Sequence, residues 1–355
     1  MSRTPDRRRD IDIARGIAVL LMIEAHTTDA WTRAAAKATA AYRDAVVLGG
    51  FAAPLFLWLA GVGVVLSASR VAARTGSRVV ACDAVVRRGL EIFILAFLFR
   101  MQAFVLSPGG PPVMLFRVDI LNIMGPAIVG ASLIWFVAAG PRGQTTTFAI
   151  AAAVTALVTP IVRASPLVDA LPTWVQWYVR PAGDHTTFTL FPWVGFVFAG
   201  GAASTLIDAA RTPAAERRAF IALALVGAAL VGVGFIAAAR PSLYASSSFW
   251  TSSPAWFAIR LGVLMIALPA ISAAANLAAL APIARLGHTS LFVYWIHVEL
   301  VYGYASWWWR GRLPVWATLA AFAAFSVLMY GAVVLKDRAT IAWRTRRGAV
   351  QSATT

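Results

Sequence analysis

Four ionisable residues share one stripe of the first apolar run, RDIDIARGIAVLLMIEAHTTDAW at 9–31. Coiled at ~100° per residue, that run sets His26 within ~20° of Arg15, ~40° of Asp12 and ~60° of Asp29. Met22 joins the same stripe, and Glu24 points elsewhere. An imidazole titrates near neutrality, which suits proton transfer, and a carboxylate one turn away can orient its ring or stabilise its charged form. Ionisable groups in an apolar helix are costly enough to suggest function. The plainer alternative pairs Asp12 with Arg15 at an interface and leaves His26 hydrogen-bonded to a neighbouring helix.

A second set sits in LGHTSLFVYWIHVELVYGY at 286–304. Tyr294, His297 and Val301 share a helical face, from which Glu299 points away. A histidine and a glutamate so deep in an apolar run must face protein or water. Substrate contact and helix–helix hydrogen bonding both remain open for His297. His288 starts the run, and no role follows for His185. The basic stretch from Arg70 to Arg88 is either a topology determinant or a source of phosphate contacts, since arginine pairs bidentately with phosphate. Arg87 and Arg88 lie near Glu91. Arg100 needs a carboxylate or water. Arg117, Asp119 and Asn122 either pair with one another or line a polar pocket.

The elements that position these residues follow from composition. The chain has 355 residues, is 60% hydrophobic and only 13% charged, with a mean hydropathy of +0.73. Several apolar runs approach the ~20 residues a helix needs to cross a bilayer. The expected fold is all-α, a polytopic integral membrane helical bundle. Runs this long exclude a soluble domain, and the ~10-residue alternating segments of a β-barrel are missing. The net charge of +16 does not imply nucleic acid, because the arginines fall between apolar runs. Cys82 is the sole cysteine, so no internal disulfide forms.

Ten spans are expected, at 12–30, 46–68, 87–106, 115–138, 145–162, 187–207, 218–239, 254–279, 288–305 and 314–335. Pro54 should kink the second, and Gly61 and Gly63 admit a close neighbour. With the N-terminus in the cytoplasm, 19 lysines and arginines fall on the inner side and eight on the outer. That bias favours both termini inside. The first run holds Glu24 and His26 and lacks a small-residue cleavage site, so it reads as a retained span. A basic N-terminus at 1–11 thus precedes one membrane domain at 12–335, and a basic tail at 336–355 lies on the inner leaflet. Trp174, Trp177 and Tyr178 suit an interfacial helix on the outer side. There is no GxxxxGK[ST], no G-x-S-x-G and no Cys/His metal spacing, so no metal is expected.

With these residues in view, RDIDIARGIAVLLMIEAH, FAAPLFLWLAGVGVVLSASR and RRGLEIFILAF resemble the bacterial DUF1624 proteins. Those are similar to the catalytic domain of heparan-α-glucosaminide N-acetyltransferase, among the transmembrane acyltransferases. FPWVGFVFAGGAAS and LGHTSLFVYWIHVELVYGY extend the likeness over most of the chain. The resemblance implies that an acetyl group passes from cytoplasmic acetyl-CoA across the membrane to an amine or hydroxyl of an envelope sugar or glycan. It implies a catalytic histidine, and His26 matches the one following D-x-x-R-G in bacterial members. The eukaryotic enzyme carries its histidine in a loop beyond the span, whereas residues 27–50 contain none here.

On this reading His26 is base or acyl carrier and Asp29 supports it. Asp12, Arg15, Arg87 and Arg88 hold the acetyl-CoA phosphates. His297, Tyr294, Glu299 and Asp119 contact the acceptor. Arg15 and His26 stand ~16 Å apart along the axis, about the reach of a long cofactor arm. The expected setting is the bilayer of a bacterial inner membrane, and a homodimer through the glycine-bearing second span is possible. The alternative is a transporter or channel with Arg15, His26, His297 and Glu299 lining a polar path.

Overall fold

A computed structural model describes residues 8–106 and 111–353, with side chains to 345. The inner-side arginines Arg3 and Arg7, residues 107–110 between the third and fourth expected spans and the end of the basic tail lie outside the described residues. The described chain is helical, with two isolated β-bridges and no strand.

The helices, in chain order, are α1 (Arg9–Trp31), α2 (Ala40–Gly49), α3 (Ala52–Thr75), α4 (Arg78–Leu106), α5 (Ile120–Val137), α6 (Gly140–Ala164), α7 (Thr173–Val179), α8 (Leu190–Asp208), α9 (Pro213–Ala238), α10 (Pro254–Ala274), α11 (Ala281–His288), α12 (Ser290–Tyr302) and α13 (Val315–Ala353). Among the described residues eight stretches are long and apolar enough to cross a membrane, with α2 and α3 acting as one, Ala40–Thr75. The protein is an integral multi-pass membrane protein. Of the ten expected spans, two fall short of that measure. α1 has the length but carries Asp10, Asp12, Arg15, Glu24 and Asp29. α12 has 13 residues, so it rises only ~20 Å against a hydrocarbon core of ~30 Å. The disturbance expected at Pro54 is a break at Gly50 and Phe51, with Pro54 in the first turn of α3.

The chain packs as two units. One comprises residues 53–274. Its α4 packs on α5, α6 on α8 and α9 on α10. Gly61 lies against the Val197 carbonyl and Gly200 against that of Trp58, and a Cβ at either would overlap backbone. The face of Gly61 expected to serve a dimer is therefore filled by α8. Arg78 caps α5, donating to the carbonyls of Trp135, Phe136 and Ala138 and stacking on the Trp135 ring. These are carbonyls that the end of a helix leaves without partners.

The other unit joins residues 1–52 to 275–355. Acidic Asp10 and Asp12 sit in the first turn of α1, where the helix dipole favours them. α1 and α11 approach closely at Gly16, against the Ile283 carbonyl, and at Gly287, against the Asp12 carbonyl. At its other end α1 stops because Thr32 turns extended and pairs with Leu313. Arg33 N–H donates to the Leu313 carbonyl at 2.8 Å, and Leu313 N–H to that of Trp31 at 2.9 Å. Trp31 is buried edge-on to Trp309 and Phe325.

Candidate functional site

Where α1 ends against α12, backbone carbonyls are held by side chains. Trp31 Nε1 donates to the Val301 carbonyl at 3.1 Å, and Ser306 Oγ to the same oxygen at 2.6 Å. Arg310 donates to the Tyr302 carbonyl at 2.7 Å. The last turn of α12 is thereby fixed against α1, although Trp31 and Val301 lie 270 residues apart.

That frame brings His26 and Tyr302 together. The Nδ1 of His26 is 3.0 Å from the Tyr302 hydroxyl, which donates to Asp29 Oδ2 at 2.9 Å. The two rings meet edge-on, 5.4 Å between centroids. Lys37, just beyond α1, places its ammonium 3.6 Å from Asp29 Oδ1 and 2.8 Å from the Asp29 carbonyl. His297 lies beside this chain of groups, edge-on to His26 at 5.2 Å and fully buried. Its Nδ1 is 2.9 Å from the carbonyls of Val293 and Tyr294. Carbonyls only accept, so Nδ1 carries the proton and Nε2 keeps its lone pair. That Nε2 is buried with no hydrogen-bond partner. The polar chain therefore runs from exposed Asp29 through half-buried Tyr302 and His26 to wholly buried His297.

Tyr294 contributes its carbonyl to His297 and a ring 6.0 Å away, and Glu299 sits half-buried on the same helix. Arg15 and Asp12 pair at 3.8 Å near the other end of α1, with the Arg15 Cβ beside Gly287. Asp12 is buried and Arg15 a third exposed. In the same unit Arg285 pairs with Asp337, which holds the guanidinium above its ordinary range.

Three of the expected site residues belong to the 53–274 unit. Arg87 pairs with Asp83 at 2.8 Å and Arg88 with Glu91 at 2.9 Å, both exposed pairs within α4. Asp119 begins α5, where Asn122 accepts from its backbone N–H at 2.9 Å, and its carboxylate pairs with Arg100. Arg100 thus has the carboxylate its position called for. Asn122 also donates to Tyr178 at 3.5 Å, and burial raises the Tyr178 hydroxyl above its ordinary value against the pull of that bond. Trp177 and Tyr178 lie on short α7, the extra-span helix that the aromatics suggested.

Sequence reasoning passed over Tyr302 and Lys37. Tyr302 follows His297 by five positions, ~140° around a helix, and so leaves the face of Tyr294, His297 and Val301. Its place at the last turn of α12, beside the last turn of α1, is a tertiary fact. The signal was chemical: another hydroxyl near the end of a run that already held His297 and Glu299.

This arrangement ties one nitrogen of the His26 imidazole to a hydroxyl–carboxylate relay, the kind of contact that orients a general base. No curated protein matches the chain. A family model described as heparan-alpha-glucosaminide N-acetyltransferase, catalytic, matches residues 7–237. His26 and Asp29 fall within that stretch, and His297 and Tyr302 lie beyond it. The match covers well over half of the chain, which therefore belongs to the heparan-alpha-glucosaminide N-acetyltransferase catalytic-domain family.

Proposed function

We propose that this membrane acetyltransferase takes its acetyl group from acetyl-CoA and gives it to an amine or hydroxyl of an envelope sugar or glycan, with His26 at the reacting centre. The observation carrying this reading is the placement of His26, inside the matched stretch and tied through Tyr302 to Asp29. As a base, Nε2 takes the acceptor proton while the acceptor attacks the thioester carbonyl; the C–S bond breaks and the CoA thiolate leaves, to be protonated. As an acyl carrier, Nε2 itself attacks the thioester carbonyl and the C–S bond breaks to release the CoA thiolate; the acceptor then attacks the acetyl group, displaces the ring and gives up its proton to the freed imidazole. Incubation with acetyl-CoA alone separates the two, since only the carrier gains the mass of one acetyl group.

Arg15, with Asp12 beside it, is the proposed phosphate contact in the 1–52 and 275–355 unit, and Arg87 and Arg88 are the proposed contacts in the other. His297, Tyr294 and Glu299 are proposed to meet the acceptor, whereas Asp119 is engaged with Arg100. The setting proposed is a bacterial inner membrane with both termini cytoplasmic. The test is transfer of radiolabelled acetyl from acetyl-CoA to glucosamine by purified protein in nanodiscs. Labelled N- or O-acetylglucosamine is the expected product. Solute flux through liposomes without any acetyl transfer would favour a transporter instead.

A further inference from the structure

We propose that Tyr302 is a positioning residue whose hydroxyl fixes the tautomer of His26 and links it to Asp29, leaving Nε2 as the basic atom of the ring. The inference rests on the role proposed for His26 and adds a residue from outside the family-matched stretch.

A phenol has one proton to give. The Tyr302 oxygen lies 2.9 Å from Asp29 Oδ2 and 3.0 Å from His26 Nδ1. The carboxylate only accepts, and the Lys37 ammonium lies 3.6 Å from its other oxygen. The phenolic proton therefore goes to Asp29. The phenolic oxygen is left to accept, and His26 Nδ1 must donate to it. The lone pair of His26 then resides on Nε2. The opposite tautomer would set the Nδ1 lone pair against a phenolic oxygen whose proton is already committed, and one of the two contacts would be lost.

The neighbouring polar groups are engaged with other partners. His297 spends its own Nδ1 proton on the Val293 and Tyr294 carbonyls. Glu24, on α1, accepts from the Thr28 hydroxyl at 2.9 Å. Arg310 binds the Tyr302 carbonyl rather than its hydroxyl, and so steadies the backbone that carries the phenol. When Nε2 takes a proton, the imidazolium keeps its Nδ1–H bond to Tyr302, and the dipole and carboxylate behind it stabilise the charge. No proton need leave the phenol.

The experiment is nitrogen-15 NMR of histidine-labelled full-length protein in nanodiscs, with His26 assigned by its loss in His26→Gln. Wild-type His26 is expected as the Nδ1–H tautomer. Tyr302→Phe, which keeps the ring, is expected to move it to the Nε2–H form that free imidazole prefers, and to lower kcat about a hundred-fold with little change in KM. Asp29→Asn keeps an acceptor oxygen and should retain the Nδ1–H form with a smaller loss. If Tyr302→Phe does not accumulate, Asp29→Ala at the exposed end of the relay reads the same change. An Nε2–H wild type, or a tautomer indifferent to these variants, would overturn the proposal. The tautomer is read without substrate. An inactive protein with Nδ1–H His26 would therefore remove the acetyltransferase reading alone, and an active one with Nε2–H would remove the role of Tyr302 alone.

Discussion

The two units treat their ionisable groups in opposite ways. In residues 53–274 three arginines end on local acceptors, and the buried Arg260 lies over the Trp256 ring. Arg100 meets Asp119, Arg78 meets the last carbonyls of α5, and Arg163 binds the Phe191 and Thr251 carbonyls and the Thr189 hydroxyl. In residues 1–52 with 275–355 the groups near His26 are joined in series, from Lys37 to Asp29 to Tyr302 to His26. The series ends on a ring nitrogen, and a second buried imidazole beside it keeps a lone pair without a partner. A charge in an apolar helix is thus weak evidence of chemistry by itself. A relay that orients a base is stronger, because its partners fix which atom is left to react.

The contrast can be broken from either side. The largest effect expected is at the α3–α8 contact, where Gly61→Leu or Gly200→Leu would drive a side chain into backbone; neither variant should yield folded protein by size-exclusion chromatography. Next is Asp119→Ala, which removes the carboxylate paired with the mostly buried guanidinium of Arg100. That substitution should cost about 3 kcal/mol in unfolding measurements while the acetyl transfer of the remaining folded protein is retained. A large loss of transfer at unchanged stability would move Asp119 into the acceptor site. The smallest effects are at Arg87→Gln and Arg88→Gln, exposed pairs worth about 0–1 kcal/mol to the fold. Any rise in KM for acetyl-CoA at these positions would reflect phosphate contact, and its size relative to Arg15→Gln would rank the two units as binders.

Much of the fold was legible because apolar runs between basic connections are a direct consequence of bilayer thickness. Eight membrane-length helices follow from it. α12 misled because periodicity does not mark where a helix stops: Gly303 turns extended and ends it after Tyr302. α1 met its expected length, and its stripe brought His26 and Asp29 to one place. What the stripe could not show was that Asp29 reaches His26 through a hydroxyl 276 residues away. The same limit separated Arg87 and Arg88 from Arg15. Their likeness in sequence is one of charge, and only packing reveals that each of the α4 pair already holds a carboxylate on its own helix.

The most direct measurement is acetyl transfer from acetyl-CoA by His26→Ala beside wild type, both purified as folded protein in nanodiscs. Transfer is expected to fall by about a thousand-fold or more, to the background of the uncatalysed reaction. Wild-type transfer by His26→Ala would contradict the assignment of His26 as the reacting centre.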